Sequence, residues 1–322
     1  MSVDEIRPGM RGYGLSVFRG TEPERFDVEV IDVLHGFRPD QELILVRTPH
    51  PLLDRARVVG GMSGSPIFID GKLIGAYAYG WPNGEDPVVG VTPIRNMLAE
   101  LYRPIRPDAF PGTSPFGPRP RTPSRPDQAR AEPPSRDVPL LFPASGEAGT
   151  LPDAFAALDA HAARIARQGP LGLVPTSTPV MLGGFTDEVA QLLADKLGPL
   201  GLAPMQAGGS GRRRAGATER TRPSMVPGGA MAVSLVSGDM STSAIGTVTH
   251  VDAAGRFVAF GHPMINQGQM GLPAAAARIL HVFVSKERSM KIGEALETLG
   301  TMIHDRQSGI VIDTGMRPAT VP

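Results

Sequence analysis

The sequence predicts a mainly β protein with some α-helix, built from ordered segments that two linkers separate. Two observations support this fold class. Short apolar runs of strand length recur near both ends of the chain, and the 39 Gly and 33 Pro of its 322 residues are unevenly spread. Apolar residues make up 41% of the chain, enough for a sizeable core. We expect β-rich halves at 1–102 and 229–322, an α/β middle segment at 150–203, and linkers at 103–149 and 204–228.

The first segment contains runs typical of a packed barrel or sandwich. Residues 26–34 partly alternate between apolar and polar side chains, while 43–46 and 73–79 are short and apolar. A short helix is expected to close this segment over 92–101. Thr92 would be its N-cap and Pro93 its first helical residue.

The two predicted linkers differ in composition from their neighbours. The first is dense in Pro, Arg and Ser, and the second contains Gly-Gly-Ser-Gly-Arg-Arg-Arg at 208–214. Neither can bury enough apolar surface to offset the entropy lost on ordering, so we expect both to be disordered. The middle segment between them is predicted to contain two helices, over 154–167 and 186–197, the second with Thr186 as N-cap.

The last segment returns to β structure. Residues 231–236 and 244–251 are expected to be strands, and Asp-Ala-Ala-Gly at 252–255 is a hairpin turn that leads into a returning strand over 256–260. The segment ends soon after another strand-like run at 310–313. We therefore expect that the C-terminal half is truncated.

Composition excludes several classes of protein. Lys+Arg and Asp+Glu are equal at 32 each, which argues against a broad nucleic-acid surface. The absence of Cys excludes disulfides and a cysteine nucleophile. No stretch approaches the roughly 18 apolar residues of a membrane span, so no integral membrane segment is expected. No metal-ligand spacing or phosphate-binding loop is present either, and we expect no cofactor.

The most informative motif is Gly-Met-Ser-Gly-Ser-Pro at 61–66, which lies between two strand-like runs. A nucleophilic serine needs a tight turn of this kind, because glycines let the backbone come close to a substrate carbonyl. They also leave amide groups that can point at a developing oxyanion. We assign Ser63 as the nucleophile over Ser65, which would support the turn, and the amides of Gly61 and Ser63 as the oxyanion hole.

A nucleophilic serine needs a base, and His262 is the best candidate among seven histidines. It stands in Phe-Gly-His-Pro, where the glycine permits a bend and the proline ends strand pairing. An imidazole at such a strand-to-loop edge is well placed for catalysis. His250, in the preceding strand, is the fallback base.

These motifs together resemble the SpoIVB-type serine peptidases. The hexapeptide followed by Ile-Phe and by residues 70–76 is similar to the nucleophile segment of that family, and residues 246–249 with 257–262 are similar to its histidine segment. Residues 299–303 and 309–311 resemble a stretch that follows. The resemblance implies Ser63 as nucleophile, His262 as base and a chymotrypsin-like double β-barrel. It also implies an exported or cell-envelope protein, although this chain begins without a signal peptide and a cytoplasmic location stays open.

Two features depart from the family pattern. The serine segment precedes the histidine segment here, so the double barrel would have a rearranged segment order, which a triad defined by geometry tolerates. The position where the resemblance would place an acid is Thr48. Asp54 is a nearby substitute, while Asp305 and Asp313 lie downstream of His262.

The sequence therefore predicts a serine endopeptidase acting on protein or peptide substrates, with Asp305 or Asp54 as candidates for the third catalytic residue. The alternative is a catalytically silent, protease-like peptide-binding or scaffold module of the cell envelope. An esterase is a weaker possibility, because the Gly-x-Ser-x-Gly elbow is absent.

Overall fold

A computed structural model describes residues 1–81, 84–105, 151–166, 172–207 and 225–318. Within these ranges the chain is mostly β, and sixteen strands and four α-helices are named in chain order. The first eight strands are β1 (Arg11–Ser16), β2 (Glu24–Arg38), β3 (Gln41–Arg47), β4 (Val59–Gly60), β5 (Pro66–Ile69), β6 (Lys72–Gly80), β7 (Val88–Pro93) and β8 (Val174–Pro175). The other eight are β9 (Thr178–Gly183), β10 (Leu202–Gln206), β11 (Ala230–Val236), β12 (Ser241–Val251), β13 (Arg256–Ala259), β14 (Gly268–Phe283), β15 (Ser289–Arg306) and β16 (Gly309–Asp313). The helices are α1 (Leu53–Ala56), α2 (Ile94–Leu101), α3 (Leu151–Ala166) and α4 (Asp187–Leu197).

The first sheet is a closed antiparallel barrel. Its strands follow the order β5-β1-β2-β3-β7-β6, and pairing between β5 and β6 closes the ring. Strand β8 is added to the outer edge of β6. The interior is filled by aliphatic and aromatic side chains such as Phe26, Ile67 and Tyr77, all nearly inaccessible to solvent. Burial of these side chains is the main term that stabilises the barrel.

The second sheet also closes on itself. The path β12-β11-β14-β15-β16-β13 returns to β12 through β12–β13 pairing, and β9 and β10 extend it beyond β12. Its core includes Phe257 of β13, Phe260 just after that strand, and Ile310 of β16. The two closed sheets are consistent with the expected chymotrypsin-like double β-barrel. The serine segment lies in the first barrel and the histidine segment in the second.

The middle segment joins the second sheet. Strands β9 and β10 pair with each other in parallel, and β9 pairs with β12. Leu158 and Ala162 of α3, with Leu197 of α4, pack on the same core as β12 and β13. Both helices thus contribute to the core of the second sheet, while Val189 and Leu192 of α4 are exposed. None of the described helices has the length and apolar character needed to cross a membrane.

Several predicted elements are confirmed, with changes at their ends. Helix α4 has Thr186 as its N-cap, whose hydroxyl accepts a hydrogen bond from the amide of Val189, and the hairpin at 252–255 joins β12 to β13. The prediction that Thr92 caps the next helix is wrong. Helix α2 begins at Ile94 after Pro93, while Thr92 ends a barrel strand and its hydroxyl donates to the carbonyl of Gly261.

The predicted linkers lie largely outside the described residues. Of 103–149 the structure describes only the first three residues, and of 204–228 only both ends. Strand β10 runs through Gln206, into the beginning of the second predicted linker.

Candidate active site

The turn that carries Ser63 is held by hydrogen bonds to the neighbouring barrel strand. The amide of Gly64 donates to the carbonyl of Tyr77 (2.8 Å), the amide of Tyr77 donates to the carbonyl of Ser65 (3.0 Å), and the amide of Ser65 donates to Met62 (2.9 Å). Gly61 and Gly64 adopt positive φ of 87° and 97°. Such a backbone suits glycine, which explains the residue pattern of the motif.

The second barrel also contacts this turn. The amide and hydroxyl of Thr247 donate to the carbonyls of Ser63 (2.9 Å) and Gly61 (2.9 Å), and the Thr249 hydroxyl donates to Gly64 (2.7 Å). A Cβ on Gly64 would lie 1.9 Å from the Thr247 carbonyl oxygen. The turn therefore sits directly on β12, with its position fixed from both barrels.

His262 enters the site from a strained bend at the end of β13. Phe260, a buried non-glycine residue, has φ of 71°, and Gly261 has φ of 70°. Left-handed backbone at a bulky residue costs energy and is maintained only when its surroundings enforce it. The hydroxyl of Thr92 does part of this by donating to the Gly261 carbonyl at 2.5 Å. The first barrel thus helps to position the histidine of the second.

The structure brings Ser63 and His262 together. The imidazole Nε2 lies 2.8 Å from Ser63 Oγ, and Nδ1 lies 2.8 Å from the carbonyl oxygen of Pro263. A carbonyl only accepts hydrogen bonds, so Nδ1 carries the proton and Nε2 is left as the acceptor for the serine hydroxyl. This is the tautomer that a general base requires.

The surroundings of His262 keep the imidazole neutral. Burial lowers its pKa to about 4, opposed by the hydrogen bond to Pro263, while the positive charge of Arg38 lowers it further. The rings of Tyr79 and Phe260 lie 6.3 and 6.0 Å from the imidazole, centroid to centroid. A neutral imidazole is able to accept a proton over most of the physiological pH range.

Asp305 lies behind the loop that follows His262. Its two carboxylate oxygens accept hydrogen bonds from the amides of Met264 (2.7 Å) and Ile265 (2.8 Å), and Gln267 donates at 3.5 Å. It therefore holds the loop whose Pro263 carbonyl orients the imidazole. Burial raises the pKa of Asp305 to about 6, against the lowering effect of the amides.

The other sequence candidates are not among the hydrogen-bond partners of the imidazole. Asp54 is exposed on helix α1. His250 pairs with Val258 within the second sheet. Ser65 donates to the hydroxyl of Ser16 (2.8 Å), so it ties the turn to strand β1. Among the described residues, the imidazole hydrogen-bonds Ser63, Pro263 and Thr176, and none of these is a carboxylate.

Two residues near the turn were not predicted from the sequence. Lys291 is fully buried in β15, and its Nζ donates to Ser16 Oγ (2.8 Å) and Thr247 Oγ1 (3.3 Å). Burial lowers the pKa of this lysine to about 7. Its position between Met290 and Ile292 was the available signal, because a lysine flanked by apolar residues in a strand is a candidate for burial.

Thr176 is the second residue that was missed. Its hydroxyl contacts Ser63 Oγ, and it lies 3.4 Å from His262 Nε2 and 3.2 Å from the carbonyl of Ala78. No pattern in Val-Pro-Thr-Ser-Thr-Pro indicated such a role. Only the pairing of strand β8 with β6 brings this residue to the site.

Comparison with known proteins supports the assignment of the serine region. Residues 3–98 match the family model described as SpoIVB peptidase S55. Residues 3–98 are therefore similar to the SpoIVB peptidase family. The match confirms the resemblance seen around the hexapeptide and supports a serine peptidase of the SpoIVB type. The matched region includes Ser63 and ends before His262. No curated protein and no solved structure matches the chain.

Proposed function

We propose that this protein is a serine endopeptidase in which Ser63 attacks a peptide carbonyl and His262 acts as the base. The observation that carries the proposal is the 2.8 Å contact between Ser63 Oγ and His262 Nε2, in the tautomer that leaves Nε2 free of a proton. His262 would take the hydroxyl proton during attack and return it to the leaving amine.

The turn around Ser63 supports the same chemistry. The hydrogen bonds that fix it use the amides of Met62, Gly64 and Ser65, and not those of Gly61 or Ser63. We propose that these two amides stabilise the oxyanion, in the alternate-residue arrangement that trypsin-like enzymes use.

Asp305 has a positioning role in this proposal. In a Ser-His-Asp triad the acid fixes the imidazole tautomer, and here the Pro263 carbonyl occupies that place. A carbonyl carries no net charge, so it stabilises the imidazolium less than a carboxylate would. We therefore expect a slower enzyme than a full triad would give.

The test compares Ser63→Ala, His262→Ala and His250→Ala in cleavage of casein. Loss of about 10³-fold or more in the first two is expected for a catalytic pair. The third should retain activity, because His250 pairs with Val258 in the second sheet and the side-chain partners of Ser63 are Thr176 and His262. Each variant must unfold at a temperature close to that of the wild type. Full cleavage by Ser63→Ala would refute the assignment.

A silent peptide-binding module of the cell envelope is the second candidate. It is favoured by one observation, that Ser63 and His262 are each only 1% exposed. A fluorophosphonate probe separates the two functions. Covalent labelling at Ser63 supports the peptidase, and peptide binding without any labelling supports the module.

A further inference from the structure

A short stretch of the chain, residues 172–179, runs across the candidate active site, and we name it the crossing segment. Its strand β8 pairs antiparallel with the end of β6, with Pro175 opposite Tyr79 and Val174 opposite Gly80. The amide of Thr176 then donates to the carbonyl of Ala78 at 2.8 Å. Extended peptides bind to other proteins in this way, by adding a strand to a sheet edge.

The hydroxyl of Thr176 lies at the point where a substrate would react. It contacts Ser63 Oγ and lies 3.4 Å from the Nε2 atom that would serve as base. The single proton of the Thr176 hydroxyl is donated to the Ala78 carbonyl, which can only accept. Toward Ser63 the threonine oxygen therefore acts as an acceptor, and it competes with His262 for the serine proton.

The next residues of the crossing segment cover the turn on the other side of Ser63. A Cβ on Gly60 would lie 2.6 Å from the carbonyl oxygen of Ser177, and a Cβ on Gly61 would lie 3.3 Å from Cγ of Pro179. The segment thus passes from the edge of β6, over Ser63, to the turn that carries the proposed oxyanion amides. This path accounts for the burial of Ser63 and His262.

We propose that the crossing segment is a built-in occupant of the substrate cleft, which keeps the enzyme latent until a peptide or partner displaces it. The inference rests on the proposed function. The occupant is an uncharged stretch, Gly-Leu-Val-Pro-Thr-Ser-Thr-Pro, so the competing substrate is an extended, uncharged peptide with a small β-branched residue beside Ser63.

The anchoring of the segment fits a displaceable occupant. Before Thr176 it pairs with β6 through only two residue pairs, and Gly172 and Val174 are exposed, so that Leu173 is its one buried side chain there, in a small cluster with Leu43 and Tyr79. Residues 174–177 form one wall of an open cleft of ≈ 790 Å³, whose other walls include Trp81 and Phe283. Short edge pairing next to open space opens more readily than core strands. At its other end the segment is anchored, because Thr178 and Pro179 already belong to β9, which is buried between β10 and β12.

The test measures the rate at which a fluorophosphonate probe labels Ser63 in the full chain. Thr176→Ala removes the hydroxyl contacts, and Thr176→Pro also removes the amide donor to Ala78. We expect labelling about tenfold faster in the first variant, the factor that one or two lost hydrogen bonds correspond to, and faster still in the second. Ser177→Ala, a change of similar size on the same segment, should label like the wild type.

A synthetic peptide of residues 172–179 gives the reverse test. Added to Thr176→Pro, it should slow labelling of Ser63, while a peptide of the same composition in scrambled order should not. Equal labelling rates for wild type and both Thr176 variants would overturn the latent state and leave the peptidase assignment intact.

Absence of labelling in every variant would contradict the catalytic assignment itself. Hydrogen exchange at the Thr176 amide then tests whether the crossing segment occupies the site, and this measurement needs no reactive serine. Slow exchange would support the segment bound at β6, because its amide donates to the Ala78 carbonyl. Exchange at the rate of an unstructured peptide would contradict that position.

Discussion

The two sides of the candidate active site are supported in different ways. Ser63 lies in a turn whose backbone is hydrogen-bonded to its own barrel and contacts β12. The contact is so close that position 64 has no room for a Cβ, and glycine is required there. His262 sits on a strained bend whose following loop is held by the distant carboxylate of Asp305. The serine side depends on close backbone contact, whereas the histidine side depends on two side chains that are remote in the sequence, Asp305 and Thr92.

The largest effect is expected from filling the space under the serine turn. Gly64→Ala would place a Cβ 1.9 Å from the Thr247 carbonyl, at a φ of 97°. Because the obstacle is backbone, the turn must move, and we expect a loss of about 3 kcal/mol or more in unfolding free energy. Casein cleavage should fall below detection. Urea unfolding and a cleavage assay measure the two effects.

Gly71 provides the matched control for Gly64. It also has a positive φ, 72°, but a Cβ there would meet nothing within 4 Å. Gly71→Ala should cost only the intrinsic penalty for left-handed backbone, about 1–2 kcal/mol, with cleavage retained. Equal costs for the two variants would show that the contact with β12 does not matter.

On the histidine side, the corresponding change is Asp305→Asn. An asparagine keeps the shape but turns one acceptor into a donor, which then faces a backbone amide. The loop should shift and with it the Pro263 carbonyl. We expect kcat to fall about 10- to 100-fold with little change in KM, as for a displaced base. Steady-state kinetics on a peptide substrate separates the two parameters.

Asp252 is a carboxylate with a similar local role far from the imidazole. It accepts hydrogen bonds from the amides of Ala254 and Arg256 in the hairpin after β12. Asp252→Asn should therefore destabilise the hairpin and leave kcat unchanged. A fall in kcat as large as that of Asp305→Asn would mean that general destabilisation, and not loop position, controls the rate.

The serine side also buries one ionisable group without an opposite charge beside it, Lys291. Within the described residues no carboxylate forms an ion pair with it, and burial lowers its pKa to about 7. Removing a buried charge that lacks a partner relieves its desolvation penalty. Lys291→Met should therefore raise unfolding free energy below pH 7 by about 1–2 kcal/mol. Stability loss at pH 6 in urea unfolding would contradict this.

The pH dependence of stability distinguishes the two groups of the histidine side. The folded pKa of His262 is lowered to about 4, so its contribution is present above 6.5 and is lost as pH falls through 4. The folded pKa of Asp305 is raised to about 6, so its contribution is present below 3.8 and is lost as pH rises through 6. Between pH 4 and 6 the two slopes oppose each other.

Removing one group should expose the slope of the other. Over pH 4 to 6, Asp305→Asn should gain stability with rising pH, and His262→Ala should lose it, each by at most about 1.4 kcal/mol per pH unit. Urea unfolding at three pH values measures both. Parallel slopes in the two variants would rule out the opposed titrations.

The contrast between the two sides also explains what the sequence could predict. The serine turn depends on Gly61, Ser63 and Gly64, which are adjacent in the chain, so the motif was visible in the residues themselves. The position of His262 at a strand edge was predictable from Gly261 and Pro263. Both barrels were expected from the short apolar strands and from the family resemblance.

The features of the site that could not be predicted depend on contacts between segments that are distant in the sequence. The Pro263 carbonyl stands where an acid was sought, and a carbonyl has no residue-type signature. Asp305 was identified as a candidate, but its partners are backbone amides, which only the path of the loop reveals. Thr176 reaches Ser63 through pairing of β8 with β6, and two-residue strands have no detectable periodicity.

The smallest effects come from single hydroxyl groups, one on each side. Thr249 donates to the Gly64 carbonyl at 2.7 Å and Thr92 donates to the Gly261 carbonyl at 2.5 Å. Replacing either by valine should cost about 1 kcal/mol in urea unfolding, the usual contribution of one hydrogen bond. Their kinetic effects should differ. Gly64 keeps its bond to Tyr77, so Thr249→Val should change kcat less than twofold, whereas Thr92→Val loosens the strained bend next to His262 and should lower kcat about fivefold. If Thr249→Val lowered kcat more than Thr92→Val did, the serine turn would be the side more sensitive to the loss of one hydrogen bond.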